Sequence, residues 1–94
     1  MIAELRKRSL HRTKILQGQL KGLEKMIEQE EYCMDILTQS LAIQKSLSSL
    51  NKLILENHIR THIQEMLGSD SDHAKAMAVD DLLKLYELTK VRGK

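Results

Sequence analysis

Apolar residues recur in the first quarter of the chain at spacings of three, four and seven, through Leu5, Ile15, Leu16, Leu20, Leu23, Met26 and Ile27. That pattern predicts an amphipathic helix from about Ile2 to Glu28. Its outer face carries Arg6, Lys7, Arg12, Lys14 and Lys21. Gly18 and Gly22 interrupt the pattern four residues apart; each costs about 1 kcal/mol relative to Ala in a helix, which points to close helix packing. After the polar break EQEEY, a long second helix is predicted from near Tyr32 to about Leu67. One apolar row runs through Ile36, Ile43, Leu47, Leu50 and Ile54, and a second through Leu37, Leu41, Leu53, Leu55, Ile59 and Ile63. So wide an apolar arc exceeds what one partner helix covers. A helix of this length extends roughly 50 Å, so a second chain is expected to cover part of it. GSDSD at 68–72 reads as a loop, with Gly68 closing one helix and Ser71 or Asp72 capping the next. A third helix is predicted over 73–91, carrying Met77, Val79, Leu82, Leu83, Leu85, Tyr86 and Leu88, with a frayed tail KVRGK.

Composition agrees with an all-α fold, since the chain has no proline, tryptophan or phenylalanine and only 4 glycines. Its 94 residues make a single domain, 1–94, near the size at which one core is marginally stabilising, so oligomerisation is expected. No apolar run approaches the roughly 20 residues of a membrane span. The opening MIAELRKRSLHR also lacks the apolar core of a secretory signal. A soluble, cytoplasmic protein is expected, in which the lone Cys33 persists as a thiol.

Charge changes the picture because it is unevenly placed. Residues 1–25 hold seven Lys/Arg against two Glu, residues 26–81 four basic against ten acidic, and residues 82–94 four against one. Basic chain ends on an acidic body make nucleic acid a candidate partner, with Arg6, Lys7, Arg8, Arg12, Lys14 and Lys21 as the stripe that meets it. A solvated charged face is the plain alternative. No base-reading motif and few aromatic residues are present, so duplex DNA held through phosphates and groove shape is expected rather than single strands.

His58 and His62 stand four residues apart in NHIRTHIQ, which on a helix places both imidazoles on one face. Such a pair is often only solvated, and a lone Cys in a helix is often a small buried hydrophobe. His11 reads as a surface or DNA-facing residue, and His73 as a residue near a helix start. Cys33 is 25 residues from His58, about 37 Å along a straight helix, so the two cannot meet within one chain. In an antiparallel pair of second helices they can. Setting Cys33 opposite His58 and His62 puts the twofold axis near Lys45 to Leu47, and symmetry creates two identical three-donor sites. One sulfur and two imidazole nitrogens suit Cu(I), Zn(II), Co(II) or Ni(II) rather than Mg or Ca.

The stretches RTKILQGQLKGLEKMI, YCMDILTQSLAIQKSL and LENHIRTHI resemble the CsoR/RcnR family of bacterial metal-sensing repressors across nearly the whole chain. The ordered set Gly18-Gln19, Gly22, Cys33, Gln39 and His58 carries that resemblance. It implies a three-helix protomer, an antiparallel four-helix-bundle dimer core and a disc-shaped homotetramer, a dimer of dimers. It also implies metal ligands at Cys33, His58 and His62, with Tyr32 and the carboxylates Asp80 and Asp81 beside them. A carboxylate that accepts the other N–H of a ligand histidine fixes its tautomer, and Asp81 is expected to do so for His58. Copper sensors of the family carry Cys where His62 stands; nickel/cobalt sensors carry His there, with a further His near the N-terminus, where this chain has Met1 and Ile2. The formaldehyde-sensing branch pairs the equivalent of Cys33 with an N-terminal proline, and the persulfide-sensing branch needs a second cysteine; this chain has neither. Arg12 and Lys14 match basic positions of the family's first helix, and Gln17 replaces a commonly basic one.

The function expected from these residues is a metal-responsive repressor that binds operator DNA in the apo form and leaves it when a transition metal binds between subunits. Two other readings stay open: a sensor of a small electrophile such as formaldehyde through Cys33, and a cytosolic metal carrier that does not bind DNA. Cys33 and His58 could also meet as nucleophile and base, but no Gly-rich loop or oxyanion donor set accompanies them, and no enzyme activity is expected.

Overall fold

The computed structural model describes residues 1–91, with side chains through Leu88. Only helices and turns occur among the described residues: α1 (Ala3–Glu28), α2 (Cys33–His58), a π-turn (Ile59–Ile63), the short α3 (Gln64–Leu67) and α4 (Asp72–Val91). These make three helical stretches, and none is long and apolar enough to cross a membrane. The last three residues of the tail expected to fray, Arg92 to Lys94, lie outside the described residues. The chain divides into two compact units, Met1–Asn57 and the remainder from His58.

In the first unit Leu5, Leu16, Ile43 and Leu53 are buried between α1 and α2. The Gln39 side-chain amide crosses to α1 and donates to the Gln19 carbonyl at 3.1 Å. A Cβ added at Gly22 would lie 3.6 Å from that amide, whereas one at Gly18 would meet nothing within 4 Å. A side chain at Gly22 would thus make only ordinary van der Waals contact, so close packing within this chain requires neither glycine. Helix α1 ends in a Schellman motif: the Glu30 N–H donates to the Ile27 carbonyl and the Glu31 N–H to the Met26 carbonyl, each at 3.0 Å. Glu30 adopts φ 51, the left-handed conformation that glycine usually supplies.

The second predicted helix needs one correction. It is not α-helical from Tyr32 to Leu67: residues 59–63 form a π-turn, whose following residue Gln64 donates its N–H to the Ile59 carbonyl, five positions back. The wider turn admits one extra residue and shifts the faces that follow. Ile63 is buried at 2% exposure while Ile59 stays 40% exposed, so the apolar row expected to run through both is broken between them. In this second unit Ile63 and Ala78 are buried, and Ser71 starts α4 by accepting the Ala74 N–H on its hydroxyl at 3.2 Å.

Much apolar surface stays open. Leu37, Leu41, Leu47 and Ile54 of α2 and Met77, Val79, Leu83, Tyr86 and Leu88 of α4 are exposed, more than scattered surface apolar residues require.

Candidate metal centre and basic cleft

His58 closes α2 and Asp81 lies midway along α4. Their side chains meet with His58 Nε2 2.6 Å from Asp81 Oδ2. An ionised carboxylate only accepts, so Nε2 carries the hydrogen and donates it; in the neutral ring the lone pair then sits on Nδ1. The hydrogen bond thus selects the tautomer and aims the free nitrogen. Both side chains keep about a third of their surface open, 32% for His58 and 35% for Asp81. The His62 ring stands beside it, with centroids 5.2 Å apart and planes tilted by 41°. Two imidazoles, one already oriented by a carboxylate, make half of a tetrahedral or most of a trigonal donor set.

Among the described residues of a single chain, no group of three or more His, Cys, Asp or Glu side chains is gathered closely enough to hold a metal ion. Cys33 is an exposed free thiol at the first residue of α2, and Tyr32 beside it is 70% exposed. Asp80 is exposed, unlike its half-buried neighbour Asp81. His73 stands in the first turn of α4.

A second feature lies wholly within the first unit. An open cleft of about 580 Å³ runs between α1, which contributes Glu4, Lys7, Arg8, His11 and Arg12, and α2, which contributes Ser49, Lys52, Leu53 and Glu56. Four permanent cations face this cleft against two carboxylates. Of the six basic residues expected on the stripe, Lys7, Arg8 and Arg12 line it; Arg6, Lys14 and Lys21 are exposed on α1 outside it. The sequence reading missed Lys52, because a basic residue in an acidic stretch of α2 gave no sign of facing α1. It also missed Asn57, a buried polar residue whose only signal was its place in an otherwise apolar arc.

An all-helical chain with a carboxylate-oriented histidine pair and a separate cationic cleft has the parts of a ligand-responsive regulator. The model of the metal-sensitive transcriptional repressor family matches residues 5–89, and the chain belongs to that family. Its members are repressors rather than enzymes. The chain is 38% identical over 81 residues to the copper-sensing transcriptional repressor CsoR of Mycobacterium tuberculosis, covering 86% of this chain and 66% of that protein. With CsoR of Mycobacterium ulcerans it shares 30% over 88 residues, 94% of this chain and 73% of that one. Among solved structures, Cu(I)-bound CsoR from Geobacillus thermodenitrificans matches with a TM-score of 0.72 and 29% identity, over 93% of this chain and 90% of that one. A variant of the formaldehyde-responsive regulator FrmR from Salmonella enterica serovar Typhimurium matches with a TM-score of 0.73 and 26% identity, over 90% and 93%.

Proposed function

We propose that this protein is a Cu(I)-responsive repressor whose metal site is shared between two copies of the chain. The observation that carries the reading is the His58–Asp81 hydrogen bond of 2.6 Å: it spends one ring nitrogen on a carboxylate and leaves the other, beside His62, as a donor. Cys33 of one protomer supplies the thiolate, and His58 and His62 of its partner supply the nitrogens. A soft thiolate with two imidazoles fits Cu(I); Ni(II), Co(II) and Zn(II) accept the same donors when further ligands complete the shell. The copper-sensing relatives favour Cu(I) among these.

The exposed leucines and isoleucine of α2 support an antiparallel homodimer, and the open apolar face of α4 supports pairing of dimers into a tetramer. Operator DNA is the partner of the cationic cleft. Lys7, Arg8, Arg12 and Lys52 meet phosphates, while Arg6, Lys14 and Lys21 extend the positive surface along α1. A repressor of bacterial genes works where the DNA is, in the cytoplasm. Fixing Cys33 to the partner's histidine pair selects one arrangement of the protomers, and DNA affinity falls if that arrangement matches the duplex less well than the apo one. Such coupling is typically about 1–3 kcal/mol.

The test is a titration of the reduced protein with Cu(I), Ni(II), Co(II) and Zn(II), following the anisotropy of a labelled duplex taken from the promoter upstream of its own coding sequence. Cu(I) at about one per protomer is expected to release the duplex. Tight metal binding with no change in anisotropy would overturn the reading. Release by formaldehyde with no metal present would favour instead an electrophile sensor acting through Cys33, in keeping with the likeness to the formaldehyde-responsive regulator.

A further inference from the structure

Asn57 is a buried polar residue, 9% exposed. Its side-chain Oδ1 accepts a hydrogen bond from the Ile2 backbone N–H at 2.8 Å, across 55 positions of chain. Ile2 is the residue from which α1 starts, and no side chain of its own caps the helix. In a capping box the N–H of that residue is satisfied by a Glu or Gln three positions on. Here that position is Leu5, committed to the core. Asn57 of α2 supplies the acceptor that α1 lacks, and this part-buried bond fixes where the first turn of α1 lies against α2.

Two features adjoin this latch. Along the chain, the next residue is His58. Across the helix pair, the latch stands at one end of the cationic cleft, whose nearest residues along the chain are Glu4 and Lys7 on one side and Lys52 and Glu56 on the other.

We propose that Asn57 is a positioning residue that couples the state of His58 to the geometry of the cationic cleft. The inference rests on the metal-dependent repressor reading and names the residue through which that response reaches DNA. Consecutive residues of a helix turn together, so a reorientation of the last turn of α2 that commits His58 to a ligand also moves the Asn57 carboxamide. The hydrogen bond to the Ile2 N–H then lengthens or breaks. Lys7 and Arg8, both about one and a half turns beyond that amide, lose the constraint that sets their distance from Lys52. The latch is strong in the state that fits phosphates and weak in the other, and that difference is what coupling requires.

The experiment compares the wild-type chain with Asn57→Ala and Asn57→Asp, measuring Cu(I) affinity and duplex affinity with and without Cu(I). In wild type, Cu(I) is expected to weaken duplex binding roughly 5- to 150-fold, the usual range of such coupling. In Asn57→Ala the Cu(I) affinity of the free protein rises, by up to about tenfold, because no hydrogen bond has to open, while the weakening of duplex binding falls below about threefold. Asn57→Asp keeps an acceptor oxygen and keeps the response. An Asn57→Ala variant that releases DNA as wild type does overturns the latch alone; a wild-type protein that binds Cu(I) without releasing DNA overturns the repressor reading and the latch with it. A second measurement needs no variant: the Ile2 amide proton resonance of the wild-type protein should move on Cu(I) binding, and an unchanged resonance overturns the proposal.

Discussion

The cationic cleft and the histidine pair are built in opposite ways. The cleft is a broad surface to which Lys7, Arg8, Arg12 and Lys52 each add a similar charge from regular α-helix. The pair depends on single atoms: one nitrogen 2.6 Å from one carboxylate oxygen, and a second ring held 5.2 Å away on a π-turn. Long-range electrostatics tolerates the loss of one contributor, because phosphate attraction sums over many charges. Coordination tolerates much less, because each donor needs its own direction and tautomer. The lesson is that substitutions in the two regions should differ in size and in kind, graded in the cleft and steep at the pair.

The steepest effect short of removing a ligand is expected at Asp81. Replacing Asp81 by Ala frees the His58 ring to rotate and exchange tautomers, and should weaken Cu(I) binding about 10- to 100-fold, the usual cost of losing such a partner. Apo DNA affinity should stay unchanged, since Asp81 does not line the cleft. Competition with a Cu(I) chelator of known affinity reads the first quantity and duplex anisotropy the second. If Asp81→Ala leaves Cu(I) affinity untouched, the directional account of the pair is wrong.

A smaller and different effect is expected from Lys52→Ala. Removing one phosphate contact should lower DNA affinity modestly and reduce the slope of log affinity against log salt by about 1, leaving Cu(I) binding alone. An unchanged slope would remove Lys52 from the interface and leave the DNA surface to α1. The smallest change concerns the frame rather than either site. Glu30 sits at φ 51 in the turn after α1, where a side chain costs about 1–2 kcal/mol relative to glycine. Glu30→Gly should therefore raise unfolding stability by about 1 kcal/mol, measured by urea denaturation, with metal and DNA affinities unaltered. A destabilised Glu30→Gly would mean that the turn gains more from the glutamate side chain than it loses in backbone strain.

The same contrast explains what could be read from the sequence. Helix α1, the loop at 68–72 and α4 follow from spacing, capping residues and the scarcity of helix breakers, all of which are local signals. The stripe on α1 is visible because charge in the first 25 residues is so lopsided. The His58–Asp81 contact was expected only through the family resemblance, since nothing local links residues 23 positions apart. The π-turn had no local signal, because IRTHI fits an α-helix by composition; what distinguishes it is the tertiary demand that Ile63 be buried, and at 2% exposure it is. Lys52 and Asn57 were missed for a related reason. Their roles depend on α1 packing against one particular face of α2, and the apolar arc of α2 was too wide to say which face that would be.

The central claim is that Cys33 and the histidine pair of one site come from different copies of the chain. It is tested most directly with two differently tagged variants, Cys33→Ala and His62→Ala, both at exposed positions where truncation leaves the core intact. Each variant alone should lack the tight Cu(I) site, because every site in either homodimer misses a ligand. The heterodimer purified through both tags is expected to hold about one Cu(I) with wild-type affinity, since twofold exchange reunites an intact Cys33 with an intact His58 and His62 at one of its two sites. A heterodimer that binds Cu(I) no better than either parent would contradict a shared site and confine the metal to ligands within one chain.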